Sequence, residues 1–313
     1  EGREDRTPPE VDAERPGGGP PDTPGWTTRV VPNLYPALAG PPGGIGAGAG
    51  AGTAAGAGAA EAGSFASGGD PLLASRRAGE ADMFVARPAT GAHEVIIHSP
   101  RHATALSELD DDRLAAAVAM WRRRMRAHED AAYTQLIVNE GGGAGASLEH
   151  SHAQLYALPF VPAAVARERE RAGAYRERTA GSGLLGDVLV EEVRRRERLV
   201  AIDDDAALIC PWASRSPFEM RVVPRVEAAR FEDDQAGAAM LGTAMRLLAR
   251  RFGGSPELNL WVRTAPRGEE DGFHWHIDIA PRLSVRAGFE LGTGVDINIY
   301  PPERAAADLR EAL

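Results

Sequence analysis

HSHAQLYALPF (150–160) and HWHIDIAP (274–281) decide the fold, because they occupy equivalent places in two copies of one pattern. In the first copy HEVIIH (93–98) has the composition of a strand, SPRHATALSEL (99–109) follows, and DDDRLAAAVAMWRRRMRAHED (110–130) comes next. Leu114, Val118, Trp121 and Met125 keep to one helical face and Asp residues lead the first turn, which predicts an amphipathic helix. TQLIVNE (134–140) is a predicted strand, and the Gly-rich GGGAGASLE (141–149) leads from it to the first His-x-His. The second copy runs VPRVEAARFED (223–233), a helix with Leu241, Met245, Leu248 and Phe252 at the same spacing, a strand NLWVRT (259–264), a loop, and HWHIDIAP. Pro100 to His152 is 52 residues, as is Pro224 to His276, so at an offset of 124 His150 and His152 fall on His274 and His276. The expected fold is therefore α+β, with two tandem units, each a curved antiparallel sheet with a helix packed on it. LLGDVLVEEVRRRERLV (184–200) between them predicts a connecting helix running into a strand.

Outward from this repeat the chain is uneven. Residues 1–25 are rich in Pro, Gly and charge and are expected to be disordered. TRVVPNLYPAL (28–38) predicts a strand entering a Pro-defined turn. Residues 39–80, largely Gly and Ala, predict a flexible insertion. The expected divisions are thus 1–25, an N-terminal unit at 26–180 and a C-terminal unit at 181–313. Arg122, Arg123 and Arg124 read most simply as a solvated helix face. The 313 residues carry 45 acidic against 35 basic side chains, a net charge of −10. That balance argues against a nucleic-acid or anionic-membrane binder. No run of 18 apolar residues occurs, and the single cysteine, Cys210, forbids an internal disulfide; both fit a soluble, cytoplasmic protein.

The first His-x-His carries chemistry. On a strand His150, His152 and Gln154 point to one face, and three polar side chains on one face either meet solvent or form a site. The glycines before them allow close backbone approach, successive N–H groups there can cradle a phosphate, and Ser147 adds a hydroxyl. Neutral imidazole beside such a loop suits nucleophilic attack on phosphorus.

GAGASLEHSHAQLYALPFVP (143–162) resembles the active-site segment of the galactose-1-phosphate uridylyltransferase family, two-unit members of the histidine-triad superfamily. VPNLYPAL, SPRH, PWASRSPFE (211–219) and FHWHIDIAPRL with AGFELGTG (273–283, 287–294) extend the resemblance. It implies that His152 is the nucleophile that becomes uridylylated and that Gln154 donates to the phosphoryl oxygens. It implies that Gly145, Ala146 and Ser147 contact phosphate, that Asn139 helps hold the nucleotide, and that Asn33 and Tyr35 lie around the nucleoside. His102 and His150 match zinc ligands; Glu168 and His276 match a second metal site. The implied substrates are a UDP-hexose and a hexose 1-phosphate, and the implied assembly is a homodimer. Gln154 also speaks for itself: histidine-triad hydrolases have a third His there, which can protonate a poor leaving group. Glutamine cannot, and so suits transfer between sugar phosphates rather than hydrolysis.

The departures are specific. The zinc site of the family takes two cysteines from a CxxC that is absent here; the chain begins EGREDRTPPE, which resembles the stretch after that motif, so either the segment precedes Glu1 or the site is absent. Asp278 stands where a second-site His is expected, and Leu34 where a uridine-contacting Asp is expected. The ending resembles a broader group that includes ADP-glucose phosphorylases. Two alternatives follow: an adenylyltransferase of that kind, or a non-catalytic nucleotide-binding protein of histidine-triad fold.

Overall fold

The structure, a computed structural model, describes residues 4–38 and 88–313; the expected insertion at 39–80 lies outside the described residues. The first unit contains β1 (Asp12–Glu14), β2 (Thr28–Pro32), β3 (Ala92–Ile97), α1 (Asp111–Ala127), β4 (Tyr133–Glu140) and β5 (His152–Leu158). Two helices follow, α2 (Ala163–Arg178) and α3 (Leu184–Arg195). The second unit contains β6 (Leu199–Ile202), β7 (Ala206–Ile209), β8 (Met220–Pro224), α4 (Ala238–Phe252), β9 (Leu258–Arg263) and β10 (His276–Pro281), and the chain closes with α5 (Gly288–Thr293) and α6 (Pro302–Arg310).

The fold is α+β, as expected, with one difference. The two units do not curl into separate sheets but join through β4 and β9 into one open antiparallel sheet, ordered β1-β2-β3-β5-β4-β9-β10-β8-β7-β6. At the seam Ile137 pairs with Trp261. These residues are 124 apart, the repeat offset, so each faces its own counterpart and a pseudo-two-fold axis passes between them. Register across the seam then sets Asn139 opposite Asn259.

One face of the sheet packs against α1 and α4. Asp110 caps α1 by accepting from the Arg113 N–H, which satisfies a donor the helix start would leave open. Leu114, Val118, Trp121 and Met125 are all buried, and each contributes roughly 1.5–3 kcal/mol. Leu241, Met245 and Leu248 do the same for α4, while Phe252 in its last turn is partly exposed and meets Phe218 edge-on at 5.1 Å. The two helices approach closely at Gly242, where a Cβ would stand 3.0 Å from Leu114 Cδ2. On the opposite face α3 covers the second unit, Leu189 packing on Ala207, Ile209 and Val223. Among the described residues no helix is long and apolar enough to cross a membrane.

Two expectations need correction. Residues 4–25 are not unstructured: they form a 3-10 turn at Glu4–Arg6 and the edge strand β1, paired with β2. The charges that looked solvating are partners for a buried cation. Arg29, 1% exposed, donates to Glu10 (2.9 Å), Thr7 Oγ1 (2.7 Å) and Asp22, and Arg15 closes on the same Glu10 carboxylate. Trp26 Nε1 donates to Glu4 (3.0 Å). Nor are Arg122, Arg123 and Arg124 one solvated face. Consecutive helical residues are turned about 100° apart, and none of these three is left to solvent alone. Arg123 pairs with Asp12 and Glu14, and Arg124 with Glu94 and, at 3.5 Å, with Asp12. Arg122 is 3% exposed, lies over the Phe231 ring at 4.5 Å, and donates to the carbonyls of Phe231, Gln235 and Ala236 in the second unit. Burial pushes its guanidinium down to about 10, although the Asp234 carboxylate opposes this.

Arg122→Ala strands three acceptors and is expected to cost about 3 kcal/mol in urea unfolding. Arg123→Ala, in a more exposed ion pair, is expected to cost about 1 kcal/mol or less in the same experiment.

Candidate active site

His152 opens β5, and its Nδ1 lies 2.7 Å from the His150 carbonyl. A carbonyl only accepts, so Nδ1 carries the proton and Nε2 presents a lone pair. His152 and Gln154 share a strand face, as expected. His150 does not share it: it lies in the bend before β5, where its Nε2 donates to the Ser99 carbonyl (2.8 Å). The strand begins late because Ser151 is held elsewhere. Its N–H donates to Ala103 O (2.6 Å) and its hydroxyl accepts from His98 Nδ1 (2.9 Å). His98 Nε2 accepts from Trp121 Nε1 (3.1 Å), which fixes that tautomer. Burial pushes the His98 imidazole down to about 3, so it stays neutral. In the sequence His98 was only the last residue of a strand.

Gln154 Oε1 accepts from Tyr156 OH (3.0 Å) and lies 3.0 Å from His93 Nε2. Asn33 joins this cluster. Its N–H donates to His93 O (2.8 Å), its Oδ1 accepts from the Tyr35 N–H (2.9 Å), and its Nδ2 is 3.0 Å from His93 Nε2. The Tyr35 side chain is exposed.

The Gly-rich loop is occupied differently from expectation. Gly141 and Gly145 both have φ of +85°, the region glycine tolerates, around a 3-10 turn at Gly142–Ala144. The Gly143 N–H donates to Glu257 Oε1 (2.9 Å), and a Cβ at Gly143 would stand 2.1 Å from Glu257 Oε2. The N–H groups of Ala144, Gly145 and Ala146 bond to carbonyls of the loop itself. A carboxylate from the second unit thus takes the place in the loop foreseen for an anion, and Ser147, exposed beside it, is the group left to meet a phosphate. Asn259 completes the hold: its Nδ2 donates to Asn139 Oδ1 and to Ala144 O, both at 2.8 Å. Nothing in NLWVRT marks Asn259 out; only the seam register sets it opposite Asn139.

The metal expectations fare unequally. His102 and His150 come together, ring centroids 5.4 Å apart. Among the described residues, however, no group of three His, Cys, Asp or Glu gathers to hold an ion, and a structural zinc needs four ligands. Cys210 is buried in the core with its thiol pushed up by burial. At the second site His276 Nε2 does lie 3.6 Å from Glu168 and 3.5 Å from Asp278. Yet Arg221 sits on Asp278 (2.7 Å) and Arg263 beside Glu168 (3.7 Å), so two guanidiniums hold the carboxylates a cation would need. Burial works against ionising Asp278, but Arg221 and His276 hold it far below the ordinary carboxylate range. Neither set of described residues fits its metal.

The second His-x-His repeats the lock of the first, His276 Nδ1 lying 3.2 Å from His274 O. Its Nε2, however, is buried without a hydrogen-bond partner and walled by two carboxylates that would repel a phosphate. The copies share the Nδ1 contact and differ at Nε2, which in His276 is enclosed by those carboxylates.

An antiparallel sheet built from two copies of one unit, with a histidine on the strand that follows a Gly-rich loop, fits a nucleotidyltransferase. A profile described as "Galactose-1-phosphate uridyl transferase, N-terminal domain" matches residues 69–162. The chain is 28% identical over 303 residues to ADP-glucose phosphorylase of Arabidopsis thaliana, covering 93% of this chain and 76% of that one. It is 29% identical over 238 residues to galactose-1-phosphate uridylyltransferase of Thermotoga maritima, covering 71% and 74%. The crystal structure of the Arabidopsis thaliana ADP-glucose phosphorylase with bound ADP-glucose superposes with a TM-score of 0.75 at 26% identity, covering 99% of this chain and 88% of that one. The chain is thus similar to galactose-1-phosphate uridylyltransferases and to ADP-glucose phosphorylase, as its motifs implied.

Glu140, next to Asn139, is 4% exposed, and its carboxyl accepts from the Leu106 N–H (2.6 Å) and from Ser255 Oγ (3.2 Å). Burial pushes it from 4.5 up to about 7. A raised acid pKa means that the folded state binds the proton more tightly, so this stabilisation is complete below pH 4.5 and is lost as pH climbs to about 7. Glu140→Gln removes that slope, and the variant should gain about 3 kcal/mol on the wild type between pH 4.5 and 7.5 in urea melts.

Proposed function

We propose that the protein transfers a nucleotidyl group between sugar phosphates by double displacement through His152. The observation that carries this is the tautomer lock: Nδ1 donates to the His150 carbonyl, which leaves the Nε2 lone pair for phosphorus. Nε2 attacks the α-phosphorus of a nucleotide sugar and forms a P–N bond. The P–O bond to the β-phosphate breaks, and its electron pair leaves with the sugar 1-phosphate. Nδ1 keeps its proton and its carbonyl throughout, so the imidazolium charge is stabilised where it develops. In the second half a phosphate oxygen of the acceptor attacks the same phosphorus, and the P–N electron pair returns to Nε2. No leaving group needs a proton, which agrees with an amide rather than an imidazole at Gln154. The amide nitrogen of Gln154 and the Ser147 hydroxyl donate to the phosphoryl oxygens, with Asn139, Gly145 and Ala146 shaping the pocket. Asn33 and Tyr35 face the nucleoside.

The donor and acceptor are a UDP-hexose and a hexose 1-phosphate, a reading supported by the uridylyltransferase profile and relatives. A second reading, adenylyl transfer from ADP-glucose to orthophosphate, is favoured by the likeness to ADP-glucose phosphorylase over 93% of the chain. A homodimer is supported by the exposed apolar side chains Val285, Leu291 and Ile299; a cytoplasmic setting goes with nucleotide-sugar substrates.

Wild-type protein incubated with UDP-glucose or ADP-glucose, each labelled in the α-phosphate, is expected to take up acid-labile label, and His152→Ala none. The exchange product with galactose 1-phosphate, or with orthophosphate, is then read by mass spectrometry to decide between the readings. Exchange by an unlabelled wild type sinks the covalent mechanism. Binding of UMP or AMP with neither label nor product leaves a non-catalytic nucleotide binder.

A further inference from the structure

We propose that His93 is a positioning residue that sets the amide of Gln154 and couples it to the nucleoside segment 33–37. This role rests on His152 and Gln154 carrying nucleotidyl transfer.

His93 is 7% exposed and sits on β3 directly opposite Tyr156 of β5, with the two rings stacked at 4.0 Å and 24°. Its tautomer follows from its contacts. The Ala37 N–H donates to Nδ1 (3.1 Å), so Nδ1 is the accepting nitrogen and a neutral ring must carry its proton on Nε2; Asn33 Nδ2, 3.0 Å from Nε2, then touches the ring edge without donating to it. That proton points at Gln154 Oε1, 3.0 Å away. Burial lowers the affinity of the ring for a second proton, although the bond to Gln154 opposes this.

A side-chain amide has two near-equivalent orientations, and only the surroundings choose between them. Here His93 makes the choice. Tyr156 OH and His93 Nε2–H both donate to the same oxygen. Turning the amide over would set an amide N–H against the His93 N–H, whereas the Tyr156 hydroxyl could turn and accept. Gln154 is therefore held with its oxygen towards β3 and its NH₂ group free for a phosphoryl oxygen. Preorganised donors act without rearrangement when charge develops, which is where such a constraint affects rate. His93 also accepts the Asn33 N–H on its carbonyl (2.8 Å). Its backbone and ring thus hold both ends of Asn33–Ala37, and a displacement of that segment would be felt at Gln154.

A His–Tyr stack can also simply fill space, and His93→Phe separates the two roles. Phenylalanine keeps the stack on Tyr156 and removes the bonds to Gln154 and Ala37. The expected result is a melting temperature near that of the wild type, a single-turnover rate of His152 nucleotidylation reduced tenfold or more, and nucleotide affinity changed much less. His93→Gln, which restores an N–H donor, should recover part of the rate. In a Gln154→Ala background His93→Phe should slow labelling by less than twofold, because the group it acts through has gone. Labelling of folded His93→Phe at the wild-type rate overturns the role, as does a full additive loss in the Gln154→Ala background. A wild-type protein that takes no label at all overturns the nucleotidyl-transfer reading, and the role falls with it.

Discussion

The β4–β9 seam is the constraint on which the rest depends. Antiparallel backbone bonds across it join two copies of one unit in a single register, and that register decides which residues of one copy reach the other. Asn259 comes opposite Asn139 and holds both it and the loop carbonyl of Ala144. Glu257, just before β9, reaches into the Gly-rich loop. On the helical side Arg122 of α1 is buried against carbonyls of the second unit. Because side chains alternate along a strand, a one-residue slip here would turn Asn259 to the opposite face and undo the hold.

The duplicated His-x-His shows how one local device has two outcomes. In both copies the second histidine donates from Nδ1 to the carbonyl two residues back. That bond is local and follows from the spacing. What surrounds Nε2 is not local. Among the described residues His152 pairs with no carboxylate, whereas His276 lies between Glu168 from α2 and Asp278, each beside an arginine. The second copy also supplies the residues that shape the loop of the first.

Much of the fold was legible because periodicity and repetition are local signals. The 124-residue offset, the buried faces of α1 and α4 and the strands β3, β4, β5, β9 and β10 could all be read from spacing. His152 and Gln154 on one face followed from strand alternation, and the relationship to uridylyltransferases from the motif around them. The N-terminal segment could not be read, since composition counts Glu10, Asp22 and Arg15 as solvated charges and cannot see Arg29 buried among them. The arginine triplet failed for the same reason: nothing in Arg122-Arg123-Arg124 reveals that one of the three is aimed at carbonyls more than a hundred residues away.

The sequence by itself determined the element types of the repeat, the duplication, and the strand face shared by His152 and Gln154, because each depends on residues close in the chain. The tertiary structure alone decided that the two sheets are one and that Glu257 occupies the glycine loop. It alone set His93 and Tyr156 on the carbonyl of Gln154 and sealed His276 behind charges. Those are contacts between segments brought together by strand pairing and burial, and partner choice at that range is set by packing and desolvation, which no local pattern encodes.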